Sequence, residues 1–200
     1  TLSGLNSSTA YDVYIRTNCG NGDISSYVGP FSFYTSASIP FFQDFENFGG
    51  ISTGIVNVEG WNSVETSAPN WQTGINTSSS ATGPVEDHTI GTGGTFVFLE
   101  TSGGTTGDFD SLISPPVMID SSASSVDFEF YYHMHGTTMG SLEISMLVNG
   151  VSTIIDTIIG EQHPVQTDPW TRYYAQLSNL QGSIVQLVFK GIRGTSFTGD

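Results

Sequence analysis

The chain of 200 residues contains a single cysteine, Cys19, so no disulfide can form within it. Secreted β-sandwiches of eukaryotes usually carry disulfides, because an oxidising compartment preserves them. A nearly cysteine-free chain that is also rich in Gly, Ser and Thr is more typical of a bacterial protein. We therefore expect a bacterial protein that is secreted or displayed at the cell surface.

Basic residues are equally scarce, with four Lys and Arg against 19 Asp and Glu, and the net charge is −15. Nucleic acid is excluded as a partner, because neutralising phosphates needs clustered Lys and Arg. An anionic membrane surface is excluded for the same reason. The surplus of carboxylates favours a hard cation such as calcium. Solubility in an extracellular setting is the alternative explanation of the acidity.

Long apolar runs are absent as well, and no segment approaches the ~20 apolar residues of a membrane span. Membrane insertion is therefore not expected. Helical periodicity is nearly absent, whereas aromatic residues make up 12% of the chain and short runs alternate with period two. These features predict an all-β fold with one substantial core.

The first part of the chain, residues 1–37, reads as the end of a domain. Its clearest strand runs from Thr9 to Arg16, and a Gly/Asn-rich turn at 18–22 follows it. The spacing of Leu2, Leu5 and Tyr11 resembles the C-terminal portion of a fibronectin type III domain, in which such a tyrosine is buried at a strand corner. At most three of about seven strands are expected here, so we expect the chain to be a piece of a longer protein.

Residues 38–42 form a predicted linker, and residues 43–200 are predicted to be one β-sandwich. The pair Asn149 and Gly150 between two apolar runs predicts a tight hairpin. The stretch 62–94 is expected to form long loops with one short strand. Predicted strands lie near 41–47, 95–100, 111–119, 125–134, 141–148, 151–159, 171–177 and 183–193.

The run from Val126 to His135 alternates most clearly. One face of this predicted strand is apolar, and the other carries polar and aromatic side chains. The apolar face comprises Val126, Phe128, Phe130, Tyr132 and Met134. The opposite face comprises Asp127, Glu129, Tyr131, His133 and His135.

This run and several others together resemble the MAM domain, an extracellular adhesion module with a jelly-roll-like β-sandwich. The matching elements are Asp44-Phe45-Glu46, Trp61, Trp71, Asp87-His88-Thr89, Trp170 and Phe189–Gly194 followed by Gly199-Asp200. The chain ends just before the family's acidic last strand, so the resemblance implies a MAM-like domain that lacks this strand. Each motif is weak alone, and their order along the chain makes the combination specific.

The resemblance implies a structural calcium site. Glu46 and Asp87 would be its side-chain ligands, with Asp44 and Asp200 as additional candidates. Carboxylates and backbone carbonyls supply the six to eight oxygens that calcium takes. The alternative is that these carboxylates cap loops and accept backbone hydrogen bonds.

A ligand-binding surface is a second candidate site, because exposed aromatic rings stack on sugar rings while polar groups bind hydroxyls. The candidate residues are Tyr131, His133, His135, Trp61 and Trp71. Tryptophans in a sandwich more often belong to the core, and histidines on a strand more often face solvent. Two imidazoles on one strand face could also bind zinc, although no third ligand is apparent.

No motif of a nucleophilic, phosphate-binding or metal-dependent enzyme occurs, so we expect no catalysis in this chain. The expected function is non-catalytic binding of an extracellular protein or glycan by a calcium-stabilised module, alongside other domains of a large secreted or cell-surface protein. One alternative is a carbohydrate-binding module that targets an attached glycan-degrading enzyme or peptidase. Another is a structural spacer in a surface adhesin.

Overall fold

The computed structural model describes residues 2–200, and within that range it contains β-strands, one short 3-10 helix and no α-helix. The predicted all-β fold class is therefore confirmed. Thr1, the first residue of the predicted segment 1–37, lies outside the described residues. No helix among residues 2–200 is long and apolar enough to cross a membrane.

The first five strands are β1 (Ala10–Ile15), β2 (Asn18–Gly20), β3 (Asp23–Ile24), β4 (Val28–Tyr34) and β5 (Ala37–Ser38). β1 pairs with β4 and β2 with β3, both antiparallel, whereas β5 joins the larger sheet. Tyr11 of β1 stacks on Phe33 of β4 with ring centroids 5.8 Å apart. The Tyr11 hydroxyl accepts a hydrogen bond of 2.9 Å from the backbone N–H of Asn6. The predicted turn at 18–22 comprises β2 and the turn of the short β2–β3 hairpin.

The remaining strands form two layers. They are β6 (Asn62–Ser63), β7 (Asn70–Gly74), β8 (Phe96–Glu100), β9 (Phe109–Ile113), β10 (Val117–Met118), β11 (Ser125–Tyr132), β12 (Ser141–Val148), β13 (Val151–Ile159), β14 (Thr171–Ser178) and β15 (Ile184–Ile192). One layer is a seven-stranded sheet with the order β13-β12-β15-β10-β5, to which β9 and β6 add beside β15. The β7–β8 and β11–β14 ladders form the other layer. This arrangement is a β-sandwich, as predicted.

Aromatic side chains join the two layers. Phe130 of β11 meets Phe189 of β15 edge-on, with ring centroids 5.1 Å apart. A first core cluster contains Phe48, Ile55, Trp61, Trp71, Leu99 and Leu112. A second contains Ala37, Val117, Ile119, Leu180 and Val185. Each buried side chain of this size contributes about 1.5–3 kcal/mol through removal from water.

Most predicted strands of the sandwich are confirmed within one or two residues, and those over 141–148 and 151–159 match in full. The hairpin between them turns at Asn149 and Gly150, whose φ angles are 51° and 83°. Positive φ at both central residues is what a tight two-residue hairpin turn requires.

The predicted strand over 41–47 is wrong, because the structure has a 3-10 helix there, Glu46–Phe48. Phe45 adopts the left-handed conformation with φ 65°, which ends any extended run. The backbone N–H of Phe45 donates instead to Oε1 of Gln43 at 2.8 Å. Phe45 and Phe48 therefore pack against each other from a loop and a helical turn, with ring centroids 5.2 Å apart.

Three further details of the strands differ from the sequence prediction. The predicted strand over 111–119 is two strands, β9 and β10, because Pro115 and Pro116 have no N–H to donate to a ladder. The stretch 62–94 contains two short strands, β6 and β7, where one was expected. The sheet also extends into the predicted linker, since β5 pairs in parallel with β10 and Ala37 is buried.

One buried carboxylate holds the long loop between β6 and β7 against β9. The Asp110 side chain is 0% exposed, and its oxygens accept hydrogen bonds of 2.7–3.0 Å from the backbone N–H groups of Val64, Glu65, Trp71 and Ser111. A buried charge is tolerated only when it is hydrogen-bonded in this way. Asp110 is therefore a structural residue, unavailable for catalysis.

Replacing Asp110 by alanine leaves these four N–H groups without their acceptor. We expect the free energy of unfolding to fall by at least about 3 kcal/mol, measured by urea denaturation. The exposed Asp23→Asn is the control and should stay within about 0.5 kcal/mol of the wild type. A similar small loss in Asp110→Ala would contradict the structural role.

Candidate functional site

The outer face of the β11–β14 ladder is the first candidate binding surface. Strand alternation turns every second side chain of each strand away from the core, and the register sets Glu129 opposite Tyr174 and Tyr131 opposite Arg172. We call this surface the outer face. It consists of Asp127, Glu129 and Tyr131 of β11 with Arg172, Tyr174 and Gln176 of β14.

Polar contacts hold the side chains of the outer face in place. The Tyr174 hydroxyl donates to Oδ1 of Asp127 at 2.8 Å, and this contact raises the Tyr174 pKa. The Arg172 guanidinium pairs with the Glu129 carboxylate and lies 5.1 Å from the centre of the Tyr174 ring. The aromatic rings are thus presented to solvent in fixed orientations, with Tyr131 38% and Tyr174 48% exposed.

His88 joins the outer face from a loop distant in sequence. Its imidazole stacks on the Tyr131 ring with centroids 3.6 Å apart. It also meets Trp170 edge-on at 6.4 Å. In the sequence His88 belongs only to the element Asp87-His88-Thr89, and no periodicity connects it with Tyr131, because only the three-dimensional packing of the 84–88 loop brings the two together.

A cleft of about 370 Å³ lies beside His88, between residues 84–88 and 166–170. The Trp170 indole N–H donates to the backbone carbonyl of Glu86 at 3.0 Å, which joins the two segments that line this cleft. Glu86 and Asp168 give the cleft an acidic character. Its chemistry suits a neutral polyhydroxylated or a cationic group better than an anion.

The sequence predicts His133 and His135 on the same strand face as Tyr131, but neither lies on the outer face. Strand β11 ends at Tyr132, before either histidine, and both side chains turn inward toward His163. His133 stacks on His163 with centroids 4.2 Å apart. Burial, followed by the nearby His163 and His135, lowers the pKa of His133 to about 4. Both rings are therefore half-buried against the 160–170 segment and do not lie beside Tyr131 on the outer face.

Trp61 and Trp71 are not surface residues, because they are only 4% and 8% exposed. Trp61 packs against Phe45 and Phe189. The Trp71 indole N–H donates to the backbone carbonyl of Asp110 at 3.1 Å. Both indoles belong to the core, so neither ring face is free to stack on a sugar.

Two of the predicted calcium ligands converge. Asp87 Oδ2 and Glu46 Oε1 lie 2.9 and 3.0 Å from the point where a Cβ on Gly94 would stand. Asp87 Oδ2 accepts the N–H groups of Thr89 and Ile90, and both oxygens of Glu46 accept the N–H of Thr95. The glycine at 94 is what allows the two carboxylates to approach the same stretch of backbone.

The other two predicted ligands have separate hydrogen-bond partners. Asp44 Oδ1 accepts the backbone N–H of Glu46 at 3.2 Å. Asp200 Oδ1 accepts the N–H and the hydroxyl of Thr101 at 2.9 and 2.7 Å, and Oδ2 accepts the N–H of Ser79. Burial raises the pKa of Asp200. Asp200 thus anchors residues 79 and 101 to the end of the chain.

The residues present fit a calcium ion in donor type, because carboxylate oxygens are the ligands that this hard cation prefers. Among residues 2–200, no group of three or more His, Cys, Asp or Glu side chains is arranged to hold a metal. A cation at the Glu46–Asp87 pair would therefore take its remaining oxygens from backbone carbonyls and water. For the zinc alternative, the described residues provide no group of three or more His, Cys, Asp or Glu side chains that could hold the ion.

The fold and the site define an all-β module with an exposed aromatic and polar face. The family model of the MAM domain, meprin/A5/mu, matches residues 52–200. The chain belongs to this family, as the sequence motifs predicted.

Several animal proteins are similar to the chain. It is 34% identical over 120 residues to MAM domain-containing glycosylphosphatidylinositol anchor protein 1 of Gallus gallus, which covers 60% of the chain and 12% of that protein. The Rattus norvegicus protein of that name is 27% identical over 208 residues, covering 100% of the chain and 21% of that protein. Neuropilin-1 of Xenopus laevis is 37% identical over 93 residues, covering 44% and 10%. The chain thus spans a small part of each relative.

Among solved structures, the K1 cleaved adhesin domain of Lys-gingipain from Porphyromonas gingivalis W83 is similar with a TM-score of 0.45 and 14% identity. That match covers 78% of the chain and 89% of the adhesin domain.

Substituting Gly94 by alanine should disturb the carboxylate pair, because the added Cβ would stand 2.8 Å from Cβ of Asp87. We expect a loss of about 1–3 kcal/mol in the free energy of unfolding, as for other overpacked sites. Chemical denaturation measures it. Gly50→Ala is the matched control, since a Cβ there meets nothing within 4 Å. Equal stability of the two variants would contradict the close approach.

Proposed function

We propose that the chain is a non-catalytic binding module of an extracellular protein, and that it contacts its partner through the outer face. The observation that carries this proposal is the fixed, exposed pair of tyrosines, Tyr131 and Tyr174, flanked by charged groups. Large rigid amphipathic rings give contact area at low entropic cost, as at many recognition surfaces. Membership of the MAM family supports an adhesion-type role.

The ligand class that this surface suits best is a neutral glycan or one bridged by a cation. Stacking on Tyr174, or on the face of Tyr131 that His88 leaves open, would bind a sugar ring, and Asp127 and Glu129 would accept hydrogen bonds from hydroxyl groups. Each of the four basic side chains of the chain already lies against an aromatic ring or a carbonyl, which disfavours a sulfated polymer. A carbohydrate-binding module that targets an attached enzyme is therefore the second candidate function.

The wider setting is part of the same proposal. The hydrogen bond from Asn6 to Tyr11 supports a fibronectin type III-like domain ending near residue 37, since such a contact is typical of a tyrosine corner. Two of the relatives are named as glycosylphosphatidylinositol anchor proteins, which supports a secreted or cell-surface location. Bacterial origin rests on composition alone, the scarcity of cysteine in an acidic chain rich in Gly, Ser and Thr, while the relatives named above come from animals.

A glycan microarray of neutral and sulfated saccharides tests the binding function. Tyr131→Ala and Tyr174→Ala should each weaken binding of a neutral glycan about three- to tenfold, the loss of one stacking contact. Tyr14→Ala removes an equally exposed aromatic ring on β1 and is the matched control. Binding that is unchanged in both outer-face variants would refute this surface. No binding to any glycan would favour a protein partner or a structural spacer.

Calcium is proposed as the stabilising cation, bound by the Glu46–Asp87 pair. A ligand present at 100 times its Kd adds about 2.7 kcal/mol to the stability of the folded state. For a chain of this size that should raise the melting temperature by about 5 °C or more. We expect this rise with calcium over chelator in the wild type, measured by differential scanning calorimetry.

Glu46→Gln should abolish most of the calcium-dependent rise, because the amide carries no charge. Asp23→Asn, which removes an exposed carboxylate elsewhere, should retain it. A melting temperature that is the same with calcium and with chelator would discard the site, and the acidity would then serve solubility alone.

A further inference from the structure

Residues 160–170, which we call the strap, connect β13 to β14 and pack on the chain that follows β11. The backbone N–H groups of Gln162 and His163 both donate to the carbonyl of Met134, at 2.9 and 3.1 Å. The N–H of Gly136 donates to Oε1 of Glu161 at 2.9 Å. The strap is thus attached to residues 134–136 along its first half.

A further hydrogen bond of this attachment involves one ring nitrogen of His163. The backbone N–H of Met134 donates to Nδ1 of His163 at 2.9 Å, and the His163 side chain is 3% exposed. Nδ1 must therefore be unprotonated, which leaves the ring proton on Nε2, 3.0 Å from the Thr171 hydroxyl. A protonated imidazole has two N–H donors and no acceptor. Protonation of His163 thus destroys the bond to Met134 and strands a buried N–H group.

The neighbouring ring makes that protonation more costly. His133 stacks on His163, and neither ring nitrogen of His133 has a hydrogen-bond partner among the described residues. A positive charge on either imidazole would lie against the other ring, which also becomes positive on protonation. Trp170 meets His133 edge-on, with ring centroids 5.9 Å apart.

Other titratable groups surround the stack. His135 donates from Nδ1 to the carbonyl of His163 at 2.7 Å and lies 3.2 Å from Glu161. From the strap, Asp168 faces His133 and His163 and raises their pKa values, while burial, the larger cause, lowers both. The 84–88 loop contributes the carboxylate of Glu86 near Trp170.

The pKa values of the two stacked histidines make the folded state less stable at acid pH. The fold lowers the pKa of His133 to about 4 and also lowers that of His163, from 6.5. The folded state therefore favours the neutral rings. The stability they allow is complete above a pH of about 6.5 and is lost as the pH falls toward about 4.

We propose that the strap is an acid-released element, which detaches from residues 134–136 when the His133–His163 stack takes up a proton. Release would also remove one wall of the cleft between 84–88 and 166–170, since Gln166, Asp168 and Trp170 belong to the strap. The module would then present a different surface in an acidic compartment than at neutral pH. This device is independent of whether the outer face binds a glycan.

Amide hydrogen exchange of the wild-type chain, corrected for intrinsic rates, tests the proposal at about pH 7.5 and about pH 4.5. Protection of the strap and of Met134 should fall at least about tenfold more than that of β12 and β15. An unchanged strap would overturn the proposal. A loss of protection in step with the sheet would also overturn it, because that indicates global acid unfolding.

Two histidine variants separate the acceptor from its neighbours. His163→Asn keeps an acceptor for the Met134 N–H but cannot take up a proton, so the strap should remain protected at acid pH. His135→Asn is the matched control, because His135 acts as a donor in either protonation state, and acid release should persist. Release in His163→Asn equal to that of the wild type would contradict the mechanism even where the wild-type result agrees.

Discussion

The hydrogen bonds of one buried carboxylate, Asp110, fix the loops on which the sandwich depends. Asp110 lies on β9 in the larger sheet and binds the backbone at both ends of the loop between β6 and β7. Its own carbonyl also accepts the indole N–H of Trp71. The smaller layer is thereby tied to the larger one by directional bonds as well as by apolar burial, and Trp71 reaches the core cluster with Leu99 and Leu112.

The β11–β14 ladder packs against the core with its inner side and carries the outer face on its other side. Its inner side chains, led by Phe128 and Phe130, fill the space above Phe189. The outer side chains are then free to carry tyrosines and charges without weakening the core. Loops from elsewhere complete the surface, since His88 reaches Tyr131 from the 84–88 loop. Exposed aromatic and charged side chains are thus concentrated where a regular ladder meets less regular chain, the kind of place where β-sandwich modules often carry function.

Local alternation was enough to predict the sandwich, most of its strands and the partition of β11 into an inner and an outer side. It failed wherever the decisive contact is distant in sequence or the backbone leaves the strand. Phe45 turns into a left-handed conformation and ends the predicted strand at 41–47. His133 and His135 continue the alternation of β11, yet they meet His163, 28 or more residues away. No periodicity encodes that contact, so the burial of these rings could not be foreseen.

The few basic residues clarify how so acidic a chain stays folded. Arg172 pairs with Glu129, Arg193 donates to the backbone carbonyl of Thr101 at 2.8 Å, and Lys190 lies 4.2 Å from the centre of the Phe109 ring. Because four Lys and Arg face 19 Asp and Glu, most carboxylates among residues 2–200 have no cationic partner in an ion pair and are solvated by backbone N–H groups, hydroxyl groups or water. Self-repulsion among them is screened by salt over about 10 Å at an ionic strength of 0.1 M.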